Sequence, residues 1–213
     1  MSGAGRQISS LTLDRVSDLP EPCVSCIFWE LDPALAAASI ARGDSGLDKE
    51  SWFSAAMLEW GSVGQIAYVD EVPAGYVTYA PPYLVPRSAA FPTSPVSADA
   101  VILMAARVLP DFAGQGLGRV LIQSAAKDVM RRGVRAIEAF GYRGDPDSPK
   151  GGCVIPNGFL TAVGFKTVRD HRTYPRLRLD LRTTLTWRED MEAAVERLLA
   201  SVRAPSLSQG RRA

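Results

Sequence analysis

The sequence has little cysteine, almost no histidine and no long apolar segment. Three cysteines among 213 residues are too few, and odd in number, for a disulfide framework, so we expect a reducing, cytoplasmic setting. A single histidine, His171, disfavours Ser-His-Asp hydrolases and zinc centres built from several histidines. The longest apolar run, residues 101–106, is far too short to cross a bilayer. We therefore expect no membrane partner.

An excess of charge of one sign is also absent. Lys and Arg number 24 against 23 Asp and Glu, which leaves a net charge of +1. Affinity for nucleic acid depends on many phosphate contacts from a basic surface, so we expect no nucleic-acid partner. The composition is that of an ordinary globular protein, with 46% hydrophobic and 22% charged residues. We predict one domain over residues 8–202 and a disordered tail over residues 203–213.

The pattern of apolar residues and turn signals predicts a mixed α/β fold. We predict strands over residues 8–16, 65–69, 75–80, 100–109, 134–140, 165–169 and 174–181. We predict helices from the Asp32 N-cap to Gly43, from Asp48 to Gly61, and over residues 116–132, 156–163 and 187–202. Prolines exclude regular structure over residues 81–95. Because only the middle of the chain forms a βαβ unit, the sheet should be mixed rather than doubly wound.

The most informative segment is VLPDFAGQGLGR, residues 108–119. Its three glycines, Gly114, Gly116 and Gly118, lie between a buried strand and the start of a long helix. Glycine tolerates positive φ and lets a ligand approach the backbone closely. Unpaired N–H groups and the helix dipole both favour an anion at this position. The segment therefore predicts a phosphate-binding loop, although glycines that serve only the helix start are an alternative.

Two other classes of phosphate-binding loop fit this segment less well. No GxxxxGK[ST] is present, which excludes a Walker loop. A dinucleotide-binding oxidoreductase needs GxGxxG, whereas this loop reads GxGxG. Glu138 does stand about 20 residues further on, where a ribose-binding acid belongs. However, no regular βαβαβ series surrounds the loop, so the oxidoreductase stays a disfavoured alternative.

The same residues resemble a known family, the GNAT N-acetyltransferases. Val108-Leu109-Pro110 followed by the glycine loop resembles the family's motif A, and residues 159–165, FLTAVGF, are similar to its helix-to-strand signature. The resemblance implies a mixed, mostly antiparallel central sheet, splayed at its middle strands near Val108 and flanked by helices. It also implies an enzyme that transfers an acetyl group from acetyl-CoA to a primary amine of a small molecule or a protein.

The resemblance further implies where acetyl-CoA binds. The backbone at Val108 and Leu109 would hold the pantetheine, and the loop amides would hold the pyrophosphate. The loop positions carried over from motif A are Ala113, Gly114, Gln115, Gly116, Leu117, Gly118 and Arg119. Ala113 replaces the family's usual Arg or Gln, so its amide rather than its side chain would bind. No metal is expected, and the predicted C-terminal helix either covers the fold or forms a homodimer interface.

The proton carriers depart from the family pattern. Met104 stands in place of the usual carboxylate, and Leu160 in place of the usual tyrosine acid. Our first candidate for the base is Glu138, with a structural carboxylate as the alternative, and Asp99 is the second candidate. Cys153 could protonate the leaving thiolate or form a covalent intermediate, or it could simply pack in the core. The departures encourage a rival function, a CoA-binding regulatory or interaction module without catalysis.

The remaining cysteines form a CxxC at Cys23 and Cys26. Together with Cys153 and His171 they could supply a Cys₃His zinc site, but all four would have to converge, so we expect packed thiols instead. Aromatic residues that could line an acceptor pocket or pack in the core are Trp29, Trp52, Phe53 and Trp60.

Overall fold

A computed structural model describes residues 5–145 and 152–181. The strands are β1 (Arg6–Ser10), β2 (Gly64–Val69), β3 (Val72–Ala80), β4 (Ala100–Val108), β5 (Ala136–Tyr142), β6 (Ile155–Pro156), β7 (Lys166–Arg169) and β8 (Arg176–Asp180). The helices are α1 (Pro33–Arg42), α2 (Ser45–Trp60), α3 (Leu117–Arg131) and α4 (Asn157–Ala162). The predicted helix over residues 187–202 and the predicted tail over residues 203–213 lie outside the described residues.

The strands form one mixed sheet in the order β1-β2-β3-β4-β5-β8-β7, with β6 paired to β5. Among the described strands, the pairs β4–β5 and β5–β6 are parallel and the other pairs are antiparallel. The parallel β4–β5 pair is joined by α3, as a βαβ crossover requires. The predicted mixed, mostly antiparallel sheet flanked by helices is confirmed.

The sheet opens between its two middle strands. β4 and β5 pair only from Ala100 with Ala136 to Ile102 with Glu138. Beyond Ile102, β4 continues to Val108 alongside β3, while β5 continues alongside β8 and β6. Met104 is an extra residue of β4 at this point, because Leu103 and Ala105 face consecutive residues of β3. A bulge of this kind bends a strand, and the predicted splay is therefore present.

Apolar residues cover both faces of the sheet. Alternate β4 side chains point to opposite faces, so Leu103 packs in the cluster with α3, and Met104 packs in the cluster with Phe53 of α2. The buried face of α3 carries Leu121, Ile122, Ala125 and Val129. No helix in the described part of the chain is long and apolar enough to cross a membrane.

Local capping signals place α1 as predicted. Asp32 Oδ1 accepts hydrogen bonds from the N–H groups of Ala34 at 2.8 Å and Leu35 at 3.0 Å. Pro33 occupies the first helical position, and Gly43 ends the helix with φ +78°. A side-chain N-cap and a left-handed C-cap glycine satisfy groups that a helix leaves unpaired at its ends.

Several predicted segments differ from the structure, among them β3, which begins at Val72 rather than Gly75. The strand predicted over residues 8–16 is instead β1 followed by a 3₁₀ turn, Leu13–Asp18. Leu11 and Val16 are both buried although five residues apart, a spacing that a straight strand would direct to opposite faces. α2 begins at Ser45 rather than Asp48. The proline-rich segment contains two short 3₁₀ helices, each with proline in its first turn, where a missing N–H costs little.

Candidate active site

A cleft of about 430 Å³ lies where β4 leaves β5. Residues 105–108 of β4 form one wall, and residues 152–156, which lead into β6, form another. The start of α3 contributes Gly118, and the segment before α1 contributes Cys23, Cys26, Trp29 and Glu30. The opening of the sheet thus creates a concave site that is reached from the glycine loop.

The glycine loop has the conformation that a phosphate site needs. Gly114 and Gly116 have φ of +74° and +76°, values that side chains rarely tolerate. A Cβ added at either glycine would meet nothing within 4 Å, so the space in front of the loop is open. Gly116 is the N-cap of α3 and provides no side-chain cap. The N–H groups of the first turn therefore remain available to an anion.

Two side chains of the loop region make structural contacts instead of facing the open space. Leu117 is buried in the core beneath α3. Arg119 donates a hydrogen bond to the carbonyl of Ala162 at 2.7 Å and so ties α3 to α4. At Gly118 an added Cβ would lie 2.9 Å from the Phe159 ring, so this glycine also allows the two helices to approach.

The other predicted cofactor residues lie at the cleft or beside it. Val108 lines the cleft, whereas the N–H of Leu109 is bonded to the carbonyl of Ala74 on β3 at 2.9 Å. Ala113 is exposed and has no side-chain donor. Gln115 accepts a hydrogen bond from Arg6 at 2.8 Å. Binding of a ligand by this loop would therefore depend on its backbone.

Glu138 lies outside the cleft. Its side chain is fully buried and accepts hydrogen bonds from Arg176, from Arg178 at 3.1 Å and from the N–H of Ser97 at 3.3 Å. Asp99 lies in the same network, and the adjacent Arg178 holds the pKa of Asp99 below its usual value. Neither carboxylate is among the residues that line the cleft. These contacts favour the structural alternative for Glu138.

All three cysteines line the cleft. The Sγ atoms of Cys26 and Cys153 are 3.6 Å apart, and both thiols are free. The hydrogen bond from Cys153 lowers the pKa of Cys26 to about 6, against the opposing effect of burial. The same hydrogen bond and burial raise the pKa of Cys153. The two thiols therefore titrate as a pair, in which the shared hydrogen bond favours one thiolate beside one thiol.

A buried ion pair also borders the cleft. Lys49 of α2 donates to the Glu30 carboxylate and, at 2.8 Å, to the carbonyl of Cys26. Both charged side chains are at most 7% exposed. This pair was not predicted from the sequence. Lys49 lies four residues before the buried Phe53, on the same face of α2. A lysine on an apolar helix face was the sequence signal that could have indicated a buried ion pair.

Tyr76 of β3 lines the cleft and was also not predicted from the sequence. For Trp29 the sequence left open whether the ring lines a pocket or packs in the core, and in the structure it lines the cleft. Burial and the neighbouring Cys23 raise the pKa of the Tyr76 phenol, which stays protonated. The Trp29 ring stacks on Phe91 at 5.2 Å, and its Nε1 donates to the carbonyl of Cys153 at 2.9 Å. Trp29 thereby fixes the backbone that carries one of the two paired thiols.

The four candidate ligands of the Cys₃His alternative do not converge in the part of the chain that the structure describes. Within residues 5–145 and 152–181, no three His, Cys, Asp or Glu side chains are grouped as metal ligands. His171 does not line the cleft. Its Nδ1 accepts hydrogen bonds from the N–H groups of Thr173 at 3.1 Å and Tyr174 at 3.0 Å. The histidine therefore stabilises a turn.

A family comparison identifies this combination of sheet, loop and cleft. Residues 24–147 match the model of the acetyltransferase (GNAT) family, which is more than half of the chain. The chain belongs to the GNAT family, whose members are generally acetyltransferases. A search of curated proteins finds no match.

Solved structures support the same fold. The PaiA N-acetyltransferase from Thermoplasma acidophilum, solved in complex with coenzyme A, is similar with a TM-score of 0.54 at 13% identity, over 83% of this chain and 99% of that one. The loading GNATL domain of CurA from Lyngbya majuscula has a TM-score of 0.51 at 14% identity, over 84% of this chain and 99% of that one. At these identities the likeness establishes the fold alone.

Proposed function

We propose that this protein is an acetyl-CoA-dependent N-acetyltransferase that transfers the acetyl group to a primary amine of a small molecule or a protein. The observation that carries the proposal is the continuity of the site. The open glycine loop at the start of α3 adjoins the cleft between β4 and β6, which Gly118 of the loop helps to line. Groups able to handle protons stand within that cleft.

The loop suits the diphosphate of CoA, and the cleft suits its extended arm. The N–H groups around Gly114 and Gly116 face open space, and the dipole of α3 favours negative charge there. Deeper in the cleft, β4 lacks a β5 partner after Ile102, so its edge can hydrogen-bond the amides of the arm. Acetyl-CoA then supplies an activated acyl group at the inner end.

The chemistry requires a neutral amine and a proton for the departing thiolate. We propose Cys153 as the proton donor, because its thiol is free and lines the cleft. Glu138 does not line the cleft, so a base there would need a connection that its three hydrogen bonds do not provide. The Glu30–Lys49 pair fixes the opposite wall.

A CoA-binding module without catalysis is the second candidate. The family's usual carboxylate and tyrosine positions hold Met104 and Leu160, and both side chains are fully buried in apolar clusters. Neither can carry a proton. An enzyme must therefore use other groups of the cleft, whereas a module needs none.

Calorimetric titration with acetyl-CoA tests the ligand assignment through Gly116→Val and Gly43→Val. The two glycines have φ of +76° and +78° with nothing within 4 Å, so both substitutions carry the same backbone strain. Only Gly116→Val places methyl groups in front of the loop. Loss of one charge-assisted hydrogen bond, about 1.5–3 kcal/mol, corresponds to about 10- to 100-fold weaker binding. Equal affinity in both variants would contradict the phosphate assignment.

Release of CoA in the presence of a panel of primary amines then separates enzyme from module. We expect amine-dependent CoA release together with an acetylated amine identified by mass spectrometry. If acetyl-CoA binds and no amine of either class is acetylated, the module is the correct function.

A further inference from the structure

Two thiols from distant parts of the chain are in contact inside the cleft. The Sγ atoms of Cys26 and Cys153 lie 3.6 Å apart, both thiols are free, and both line the cleft. A disulfide holds its sulfur atoms at about 2.05 Å, so these two must approach by about 1.5 Å. Neither residue belongs to a helix or a strand, so the main chain can supply part of this approach without loss of a hydrogen-bond ladder.

We infer that Cys26 and Cys153 are a redox-sensitive pair, which hydrogen peroxide converts into a disulfide that stops acetyl transfer. The effect on transfer rests on the proposed function, in which Cys153 is the proton donor. The disulfide itself rests on the contact between the two sulfur atoms and requires no assignment of charge to either residue.

Hydrogen bonds keep the two segments that carry the pair beside the cleft. Lys49 Nζ donates to the carbonyl of Cys26 at 2.8 Å, and Trp29 Nε1 donates to the carbonyl of Cys153 at 2.9 Å. Arg107 donates to the carbonyl of the residue before Cys153 at 2.7 Å. Groups held in contact react as if at a high effective concentration, which favours a bond between them over separate oxidation of each thiol.

Cys23 is the alternative partner for Cys26, because the two form a CxxC and line the same cleft. The Cys23 thiol, however, is a hydrogen-bond partner of the Tyr76 hydroxyl. Cys26 is instead in contact with Cys153. The geometry therefore favours a disulfide between the distant segments over one within the CxxC.

The reaction balances with one molecule of hydrogen peroxide. One sulfur of the pair, as its thiolate, attacks a peroxide oxygen, the oxygen–oxygen bond breaks, and a sulfenic acid and hydroxide form. The other sulfur attacks the sulfenic sulfur, the sulfur–sulfur bond forms, and the sulfur–oxygen bond breaks. In total the two thiols lose two electrons and two protons, and the peroxide gains them as two molecules of water. Either residue can react first, since either sulfur can be the donor of the shared hydrogen bond.

The disulfide would change the site where the acetyl group is transferred. Cys153 would have no S–H proton to give to the departing CoA thiolate, and the segment before α1 would be linked covalently to the residues before β6. Loss of a general acid lowers a rate by about 100-fold or more. Exchange with an added dithiol would break the bond again and return both thiols.

Treatment of the intact chain with hydrogen peroxide, followed by tryptic mapping without reductant, tests the inference. Trypsin places Cys23 and Cys26 in one peptide, residues 16–42, and Cys153 in another, residues 151–166. We expect the parent and Cys23→Ser to yield these two peptides joined by a disulfide, and Cys26→Ser to yield no such product. A disulfide within residues 16–42, an equal yield of the joined peptides in Cys26→Ser, or sulfinic acids without any disulfide would overturn the inference.

Acetyl transfer is measured on the same samples, each relative to its own untreated protein. The oxidised parent should lose about 100-fold or more in rate and recover with dithiothreitol. Prolonged peroxide should carry Cys153 of Cys26→Ser to the sulfinic acid, which dithiothreitol does not reverse. Normal transfer by the disulfide-linked parent, or equal recovery of Cys26→Ser, would overturn the inference. If the reduced parent binds no acetyl-CoA by calorimetry, the proposed function is wrong, whereas the disulfide is mapped without any ligand and is decided separately.

Discussion

Substitution of Glu138 by Gln separates a structural from a catalytic carboxylate. The side chain is completely buried between two arginines that are themselves only 12% and 17% exposed. Removal of one partner from a buried ion pair costs about 3–5 kcal/mol, because the remaining charge stays buried without compensation. Arg178 retains Asp99 and Asp180 as partners, so we expect the lower end, about 3 kcal/mol.

That loss is measurable as a change in melting temperature. For a chain of this length 1 kcal/mol shifts Tm by about 2–4 °C, so Glu138→Gln should melt about 6–12 °C lower. The rate per folded molecule should stay normal. Asp180→Asn is the matched control, since it makes the same chemical change at a carboxylate that is 59% exposed and should cost less than about 1 kcal/mol.

The opposite result would refute the structural argument. A base loses about 10²- to 10⁴-fold in rate and leaves the fold intact. If Glu138→Gln melts within about 2 °C of the parent while acetyl transfer falls by such a factor, Glu138 is the base.

Three further predictions test other parts of the structure. Asp32→Ala removes the cap of α1 and should cost about 1 kcal/mol, seen as a Tm lower by about 2–4 °C; an unchanged Tm would contradict that stabilising role. Protein purified without chelators should contain far less than one zinc per chain, and zinc lost on joint substitution of Cys23 and Cys26 by Ser would revive a metal site. The rate of alkylation of Cys26 should rise with pH through a midpoint near 6, because the lowered pKa favours the thiolate and protonation removes the thiolate as the pH falls. A midpoint near the pKa of an ordinary thiol, about 8.5, would contradict the paired geometry.

The elements with strong local signals could be predicted from the sequence. α1 has a side-chain cap at one end and a glycine at the other, and the apolar run of β4 is bounded by a proline. Local signals failed where long-range pairing decides the outcome. β1 pairs with β2 as far as Ser10 with Gln65, and the N–H of Leu11 still donates to the carbonyl of Gly64, where β2 begins. The end of β1 therefore follows from the start of β2, which nothing within residues 8–16 encodes.

The same distinction between local and long-range signals applies to the residues of the site. The glycine loop was recognisable because the conformation of Gly114 and Gly116 is a local property. The Cys26–Cys153 pair joins residues that are 127 positions apart, so no spacing rule could have predicted it. Glu138 was a reasonable candidate for the base from its place on a strand, but Arg176 and Arg178 meet it from a strand far along the chain.

The separation of β4 from β5 beyond Ile102 also affects the tendency of the protein to aggregate. An unpaired strand edge attracts the strands of other molecules, and proteins commonly protect such edges with charge, proline or a covering element. Here the free edge of β4 is interior to the sheet, recessed between residues 152–156 and the Phe159 ring. A foreign sheet is too broad to enter such a recess, whereas one slender, amide-bearing molecule can. The protein thus keeps backbone hydrogen-bonding capacity open for the proposed ligand without offering a template for aggregation.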